Sequence, residues 1–205
     1  MKKRKNILSA LLCGICCIAL LGGCGEPSDM AAENPADASV AEDTQAGAEP
    51  AGGESLGEFS MEDMEGNTYT QDMFSDYSLT MVNVFTTWCT PCINEIPDLE
   101  KLRNEMADQG VNVVGIALDA IDATGSADGE AVEKAKLLAE QTGVTYPFLI
   151  PDAGYLNGRL MGINAVPETF FVDKDGNIVG ETYTGSRSLD EWKSVVEQEL
   201  QEVAQ

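Results

Sequence analysis

Trp88-Cys89-Thr90-Pro91-Cys92 is the segment from which the rest of this 205-residue chain is best read. Two cysteines, two residues apart, directly follow the apolar run Leu79-Thr80-Met81-Val82-Asn83-Val84-Phe85. That run is too apolar on both faces for an exposed strand, so a central, covered strand is expected. Behind the cysteines, Ile93, Ile96, Leu99, Leu102 and Met106 recur at helical spacing as far as Gln109-Gly110, a helix with one apolar face and a glycine stop. Pro97 inside it is expected to bend the helix, because its ring removes the bond to the carbonyl of Ile93.

The cysteine pair therefore stands where a buried strand gives way to a helix, and that position has a chemical consequence. A thiolate, not a thiol, attacks a disulfide. At a helix start, unpaired N–H groups and the positive end of the helix dipole favour an ionised Cys89. Cys92, one turn further in, is shielded and within reach, which suits a resolving role. Pro91 fits the first helical turn, where its missing N–H costs little. A structural cross-link over so short a loop removes little chain entropy, and a zinc ribbon would need a second pair that is missing. No metal ligand set is assigned, and no cofactor is expected beyond a redox-active Cys89-Cys92 disulfide.

The composition narrows the chemistry further. A net charge of −23 argues against a nucleic-acid partner, whose phosphates need Lys and Arg, and against an anionic membrane surface as partner for the body of the protein. The chain has no histidine. That removes Cys-His and Ser-His nucleophile systems, His-containing zinc sites and His-ligated haem together. Of the six cysteines, Cys13, Cys16 and Cys17 lie in an N-terminal apolar run and Cys24 at its end.

Lys2, Lys3, Arg4 and Lys5 precede an uncharged run from Ile7 to Leu21, the order of a signal peptide. The run is shorter than the roughly 20 apolar residues of a stable span. Leu21-Gly22-Gly23-Cys24 resembles the lipobox of bacterial lipoproteins, which implies removal of residues 1–23 and lipidation of Cys24. The alternative is an uncleaved transmembrane anchor; either way the domain lies outside the cytoplasmic membrane. Residues 24–57 are rich in Ala, Glu, Asp, Pro, Ser and Gly, with no aromatic residue and no Lys or Arg. Such a segment cannot bury enough apolar area to offset its ordering entropy, so a disordered acidic tether is expected. The folded domain is expected over 58–205.

Within it, Phe59 to Met64 and Thr68 to Thr70 read as short extended pieces around a Gly66 turn. Val111 to Leu118 is a second buried strand, and Asp119 to Gly129 a polar loop. Glu130 to Gly143 is a helix with Val132, Ala135, Leu138 and Ala139 inward. Tyr146 to Ile150 reads as a strand and Tyr155 to Met161 as a short helix. Thr169 to Val172 and Ile178 to Tyr183 form a hairpin. Ser188 and Glu191 match a capping box, before a helix whose stripe of Leu189, Trp192, Val195, Val196, Leu200 and Val203 is assigned to core packing alone. Strands alternating with helices point to an α/β fold.

Val84 to Cys92, continuing through Glu95-Ile96-Pro97 and Leu99, resembles the active-site segment of the TlpA/ResA-type extracytoplasmic thioredoxins. Val166-Pro167-Glu168-Thr169-Phe170-Phe171-Val172-Asp173 resembles the family's cis-proline loop entering a strand. The likeness runs from about Phe59 to the C-terminus. It implies a thioredoxin-like fold: a central mixed sheet flanked by helices, with an N-terminal strand extension and a helical insertion. It also implies that Cys89 is the nucleophile, that Cys92 resolves, and that Pro167 is cis and packs beside the dithiol. The backbone of Val166 would then pair with an extended substrate segment. Trp88 would cover one side of the motif, the alternative being a plain core aromatic. The implied activity is thiol:disulfide exchange on the disulfides of exported proteins, with electrons from an integral-membrane thiol carrier; family substrates include apocytochrome c awaiting haem.

Two positions depart from the wider pattern. Asn83 stands where thioredoxin carries a buried aspartate, and Thr90 where some relatives place a glutamate between the cysteines. The proton acceptor for Cys92 is left to Glu95, Glu168 or water. Beyond residue 57, 8 basic residues face 27 acidic ones. A negative field disfavours the thiolate and so lowers the reduction potential, which points to a reductant. Two further readings are a thiol peroxidase of the peroxiredoxin kind, although the residues before Cys89 do not match a Pro-x-x-x-Thr-x-x-Cys loop, and a Cu(I) delivery protein, which would lack the usual histidine.

Overall fold

The structure, a computed structural model, describes residues 54–204. The expected signal peptide, Cys24 and nearly all of the acidic tether lie outside the described residues. Strand β3 (Leu79–Phe85) and strand β4 (Val111–Ala117) are buried at every position, which is what their two-sided apolar character requires. They pair in parallel from Leu79 with Val111 to Phe85 with Ala117. Helix α1 (Thr90–Met106) is the crossover between them. It contains Pro97 without interruption and ends in a short 3-10 turn at Gly110.

The remaining elements extend this pair. A hairpin of β1 (Ser60–Asp63) and β2 (Thr68–Thr70) precedes β3. Helix α2 (Gly129–Thr142) connects β4 to β5 (Phe148–Ile150). Strands β6 (Glu168–Asp173) and β7 (Ile178–Thr184) form the second hairpin, and α3 (Leu189–Val203) closes the fold behind a complete Ser188-Glu191 capping box. The sheet order is β2-β1-β5-β4-β3-β6-β7, with β3, β4 and β5 parallel and the other pairings antiparallel. This is the expected mixed sheet with an N-terminal strand extension.

The two hairpin turns share one chemistry. In Asp63-Met64-Glu65-Gly66-Asn67, Asp63 Oδ1 accepts from the N–H groups of Glu65 and Asn67, at 2.9 Å each. In Asp173-Lys174-Asp175-Gly176-Asn177, Asp173 Oδ1 does the same for Asp175 and Asn177, again at 2.9 Å. The short Asp side chain closes the turn locally, so register is set by sequence rather than by distant packing.

Alternation along the strands builds two cores. Leu79, Met81 and Phe85 face one side with Cys92, Ile96, Leu99 and Leu102 of α1 and Trp192 and Val196 of α3. Val82, Val84, Val114, Ile116, Phe170 and Val172 face the other. That second face is covered by Leu156 and Leu160, together with Leu56, Phe59 and Phe74. Here one expectation is corrected: Tyr155 to Met161 is a series of turns, not a helix. Tyr155, Leu156 and Asn157 have φ of 50°, 52° and 52°, a left-handed path. The reason is tertiary. The Asn157 amide donates to the carbonyls of Leu56 and Glu58 at 2.6 and 2.9 Å, and Leu156 and Leu160 are buried in the second core.

Ahead of Glu58, Leu56 is already 2% exposed and Ser55 bridges Asn177, so packing begins before the expected domain boundary. Strand β5 starts two residues later than expected because Pro147 cannot donate to the ladder and holds Tyr146 out of it.

Candidate active site

Cys89 is the N-cap of α1, and its Sγ accepts the backbone N–H of Cys92 at 3.3 Å. The first turn is otherwise tied by Cys89 N–H to the Thr86 carbonyl at 3.2 Å and by Ile93 N–H to the Cys89 carbonyl at 3.0 Å. Pro91 occupies the turn's start, where no donor is needed. Cys89 and Cys92 are joined as a disulfide. They are 6% and 1% exposed, so the pair is shielded and Cys92 is the deeper sulfur. Trp88 is 72% exposed, a surface residue beside the dithiol rather than a core aromatic.

The cis-proline loop, 77 residues further along the chain, meets the dithiol. The Val166-Pro167 peptide is cis, and the Val166 carbonyl oxygen lies 3.7 Å from Cys89 Sγ. Pro167 is buried, and its carbonyl accepts the Gly185 N–H at 2.9 Å, which anchors the loop to the end of β7. Val166 is half-buried.

The two acidic candidates part company. Glu95 is 3% exposed, and its Oε1 accepts the indole N–H of Trp192. Its Oε2 is buried and has no hydrogen-bond partner. Burial pushes this carboxyl up to about 7, against the opposing pull of the Trp192 N–H, the Arg187 backbone N–H and the Arg187 charge. It sits three residues after Cys92 on one helix, the spacing at which side chains are neighbours. Glu168 is placed differently. It has the strand parity of Phe170 and Val172, which face the core remote from the dithiol. There it forms a 3.0 Å ion pair with Arg159, whose guanidinium also stacks 4.0 Å from the Phe170 ring.

Asn83 is buried, and its amide donates to Thr169 Oγ1 at 3.0 Å across β3 and β6. The position that is acidic in thioredoxin is thus a neutral, satisfied pair. Thr90 is exposed on the first turn of α1.

The geometry now meets the comparisons. The chain matches the AhpC/TSA family over residues 53–180, more than half its length. The chain belongs to the AhpC/TSA family. Among curated relatives, this AhpC/TSA chain is 27% identical over 146 residues to the thiol:disulfide interchange protein DsbE of Vibrio cholerae, covering 70% of this chain and 71% of that one. It is 27% identical over 147 residues to the thiol-disulfide oxidoreductase ResA of Geobacillus thermodenitrificans, covering 71% and 76%. A solved thiol:disulfide interchange protein of the thioredoxin family from Chlorobium tepidum superposes with a TM-score of 0.59 at 27% identity, over 73% of this chain and 98% of that one. The fold is therefore thioredoxin-like. With the bonded Cys89-Cys92 pair at its helix start, this AhpC/TSA chain is a CxxC thiol:disulfide oxidoreductase.

Three contributors escaped the sequence reading. Asp119 accepts the Thr87 N–H at 3.0 and 3.1 Å and the Thr87 hydroxyl at 2.7 Å, which holds the backbone leading into the motif. A signal for it existed: the parallel register of Phe85 with Ala117, carried two residues on, aligns Thr87 with Asp119. Trp192 belongs to the stripe assigned to packing alone, yet its indole N–H reaches the site. Arg187 lies 5.0 Å from the Trp192 ring and 4.9 Å from the Tyr183 ring. The Trp192 contact crosses from the C-terminal part of the chain to Glu95 on α1, and no local pattern announces it.

Proposed function

We propose that this chain is a membrane-tethered, extracytoplasmic reductant of disulfides in exported proteins, working through a mixed disulfide at Cys89 that Cys92 resolves. The observation that carries the reading is the placement of Cys89 Sγ: it caps α1, beside the Cys92 N–H, and faces the Val166 carbonyl of the cis-proline loop. Reduced Cys89, as thiolate, attacks one sulfur of the substrate disulfide; a Cys89–substrate S–S bond forms and the other substrate sulfur leaves as thiolate. Cys92 then loses its proton to Glu95 and attacks Cys89 Sγ. The Cys89–Cys92 bond forms, the mixed disulfide breaks, and the substrate leaves as a dithiol, with two electrons from the enzyme and two protons from water. When a thiol donor later attacks Cys89, the departing Cys92 thiolate takes its proton back from Glu95. A carboxyl held near neutral serves both directions.

Tethering rests on Cys24 and the segment around it, and the electron source is an integral-membrane thiol carrier. Among the described residues no helix is long and apolar enough to cross a membrane. The reductant direction rests on the excess of acids over bases in the folded part, a field that opposes the thiolate. Equilibration with a glutathione or dithiothreitol buffer tests it: a potential as high as that of a dedicated oxidase ends this part of the reading. Cys92→Ser is the test of function. It should trap disulfide-linked exported proteins through Cys89, and failure to trap any from a membrane-enclosed compartment would count against the assignment.

A further inference from the structure

Trp192 is completely buried, yet its one polar atom is spent on a side chain of another helix. The indole N–H crosses from α3 to α1 to reach Glu95 Oε1, while Glu95 Oε2 remains buried and unpartnered. A carboxyl with one oxygen tied and the other bare is costly to bury, and the bare oxygen is a site for a proton donor. Cys92, 1% exposed and one helical turn earlier, is the ionisable neighbour on that face. The indole itself is held firmly. Arg187 caps its ring, and Tyr183 meets it edge-on at 5.9 Å. Tyr183 is fixed in turn by donating its hydroxyl to Glu199 Oε1 at 2.8 Å.

We propose that Trp192 is a positioning residue for the resolving step: its indole N–H fixes Glu95 Oε1, so that Oε2 is the oxygen that receives the Cys92 proton. The inference rests on Glu95 being the acceptor. The groups that act on Glu95 are the Trp192 N–H from α3, the backbone N–H and the guanidinium of Arg187 ahead of α3, Asp98 from α1, and Tyr146 from the segment after α2, while Cys92 lies one helical turn before it. Trp192 and Arg187 favour the charged carboxylate and Asp98 opposes it. Tyr146, kept neutral by burial, adds no charge.

The test is stopped-flow reaction of the reduced protein with 5,5′-dithiobis(2-nitrobenzoate), an aromatic disulfide with a coloured thiolate. The first coloured equivalent reports attack by Cys89, and the second reports resolution by Cys92. Trp192→Phe keeps the ring and removes the donor. It should move the pH midpoint of the second phase upward by about one unit, the scale of one hydrogen bond to a charged carboxylate, and leave the first phase unmoved. Glu95→Gln should slow the second phase and abolish that midpoint. An unchanged second phase in Glu95→Gln overturns the acceptor assignment itself. A slowed second phase in Glu95→Gln with an unmoved midpoint in Trp192→Phe overturns the positioning role alone. Cooperative urea unfolding verifies that Trp192→Phe is folded. If it is not, Arg187→Met takes its place by removing the cap and its charge; it should move the midpoint upward too, and an unmoved midpoint overturns the role in the same way.

Discussion

Replacing Glu95 by Gln is expected to stabilise the oxidised protein above neutral pH relative to its stability in acid. The carboxyl is 3% exposed, and burial raises it from an ordinary value of 4.5 to about 7. The sign follows from which state holds the proton. Between those two values the folded chain keeps it and the unfolded chain has lost it, so the wild type loses stability as pH rises through that window. Below about 4.5 both states are protonated, and above about 7 both are ionised, so nothing further changes at either end. At about 1.4 kcal/mol per pH unit, the loss across the window is about 3 kcal/mol. Gln is nearly the same shape, its amide oxygen accepts the Trp192 N–H, and it does not titrate. Urea unfolding of both proteins with the disulfide intact, from about pH 4 to pH 8, gives the difference directly, because the other carboxylates are common to both and cancel. The difference should rise through the window and level off above it. Parallel stability profiles, or a difference that grows toward acid, would refute the account of Glu95 as a carboxyl displaced by burial.

Asp119→Ala leaves the Thr87 N–H and hydroxyl without their acceptor; a loss of about 2 kcal/mol in urea unfolding is expected, since hydrogen bonds to a charged group are the stronger kind. Leu156→Ala should cost about 3 kcal/mol, as for a buried leucine, and should leave both phases of the thiol reaction unchanged because Leu156 packs on the face remote from the dithiol. Gly180→Ala should cost about 2 kcal/mol or more in the same assay. Gly180 has φ of 63°, and a Cβ there would collide with Oε2 of Glu199, a buried side chain whose Oε1 accepts the Tyr183 hydroxyl and which so has little freedom to withdraw.

The two candidate acceptors for Cys92 show where sequence reading stopped. Glu95 and Glu168 both lie close to a motif in sequence, and nothing local separates them. Strand parity does so once β6 is placed: Glu168 turns toward Phe170 and Arg159, while Glu95 turns inward to Trp192. Trp192 was legible as a core residue from its helical spacing, and its burial agrees. Its N–H partner was not legible, because 97 residues separate the two side chains.

By itself, the sequence determined the elements whose causes are local. The two buried strands follow from continuous apolar runs, α1 and α3 from their spacing and caps, and the two hairpin turns from an aspartate that closes each one. It also determined the reactive group, because one cysteine pair at a strand-to-helix junction, in a chain without histidine, leaves few other chemistries. Tertiary structure alone decided the path of residues 155–161, which follows the second sheet face and the N-terminal segment rather than its own helical spacing. It alone decided which carboxyl lies behind the dithiol and what holds it there. The physical reason is the same in each case: burial and partner choice depend on groups brought together from distant parts of the chain, and the energy that selects them has no local signature.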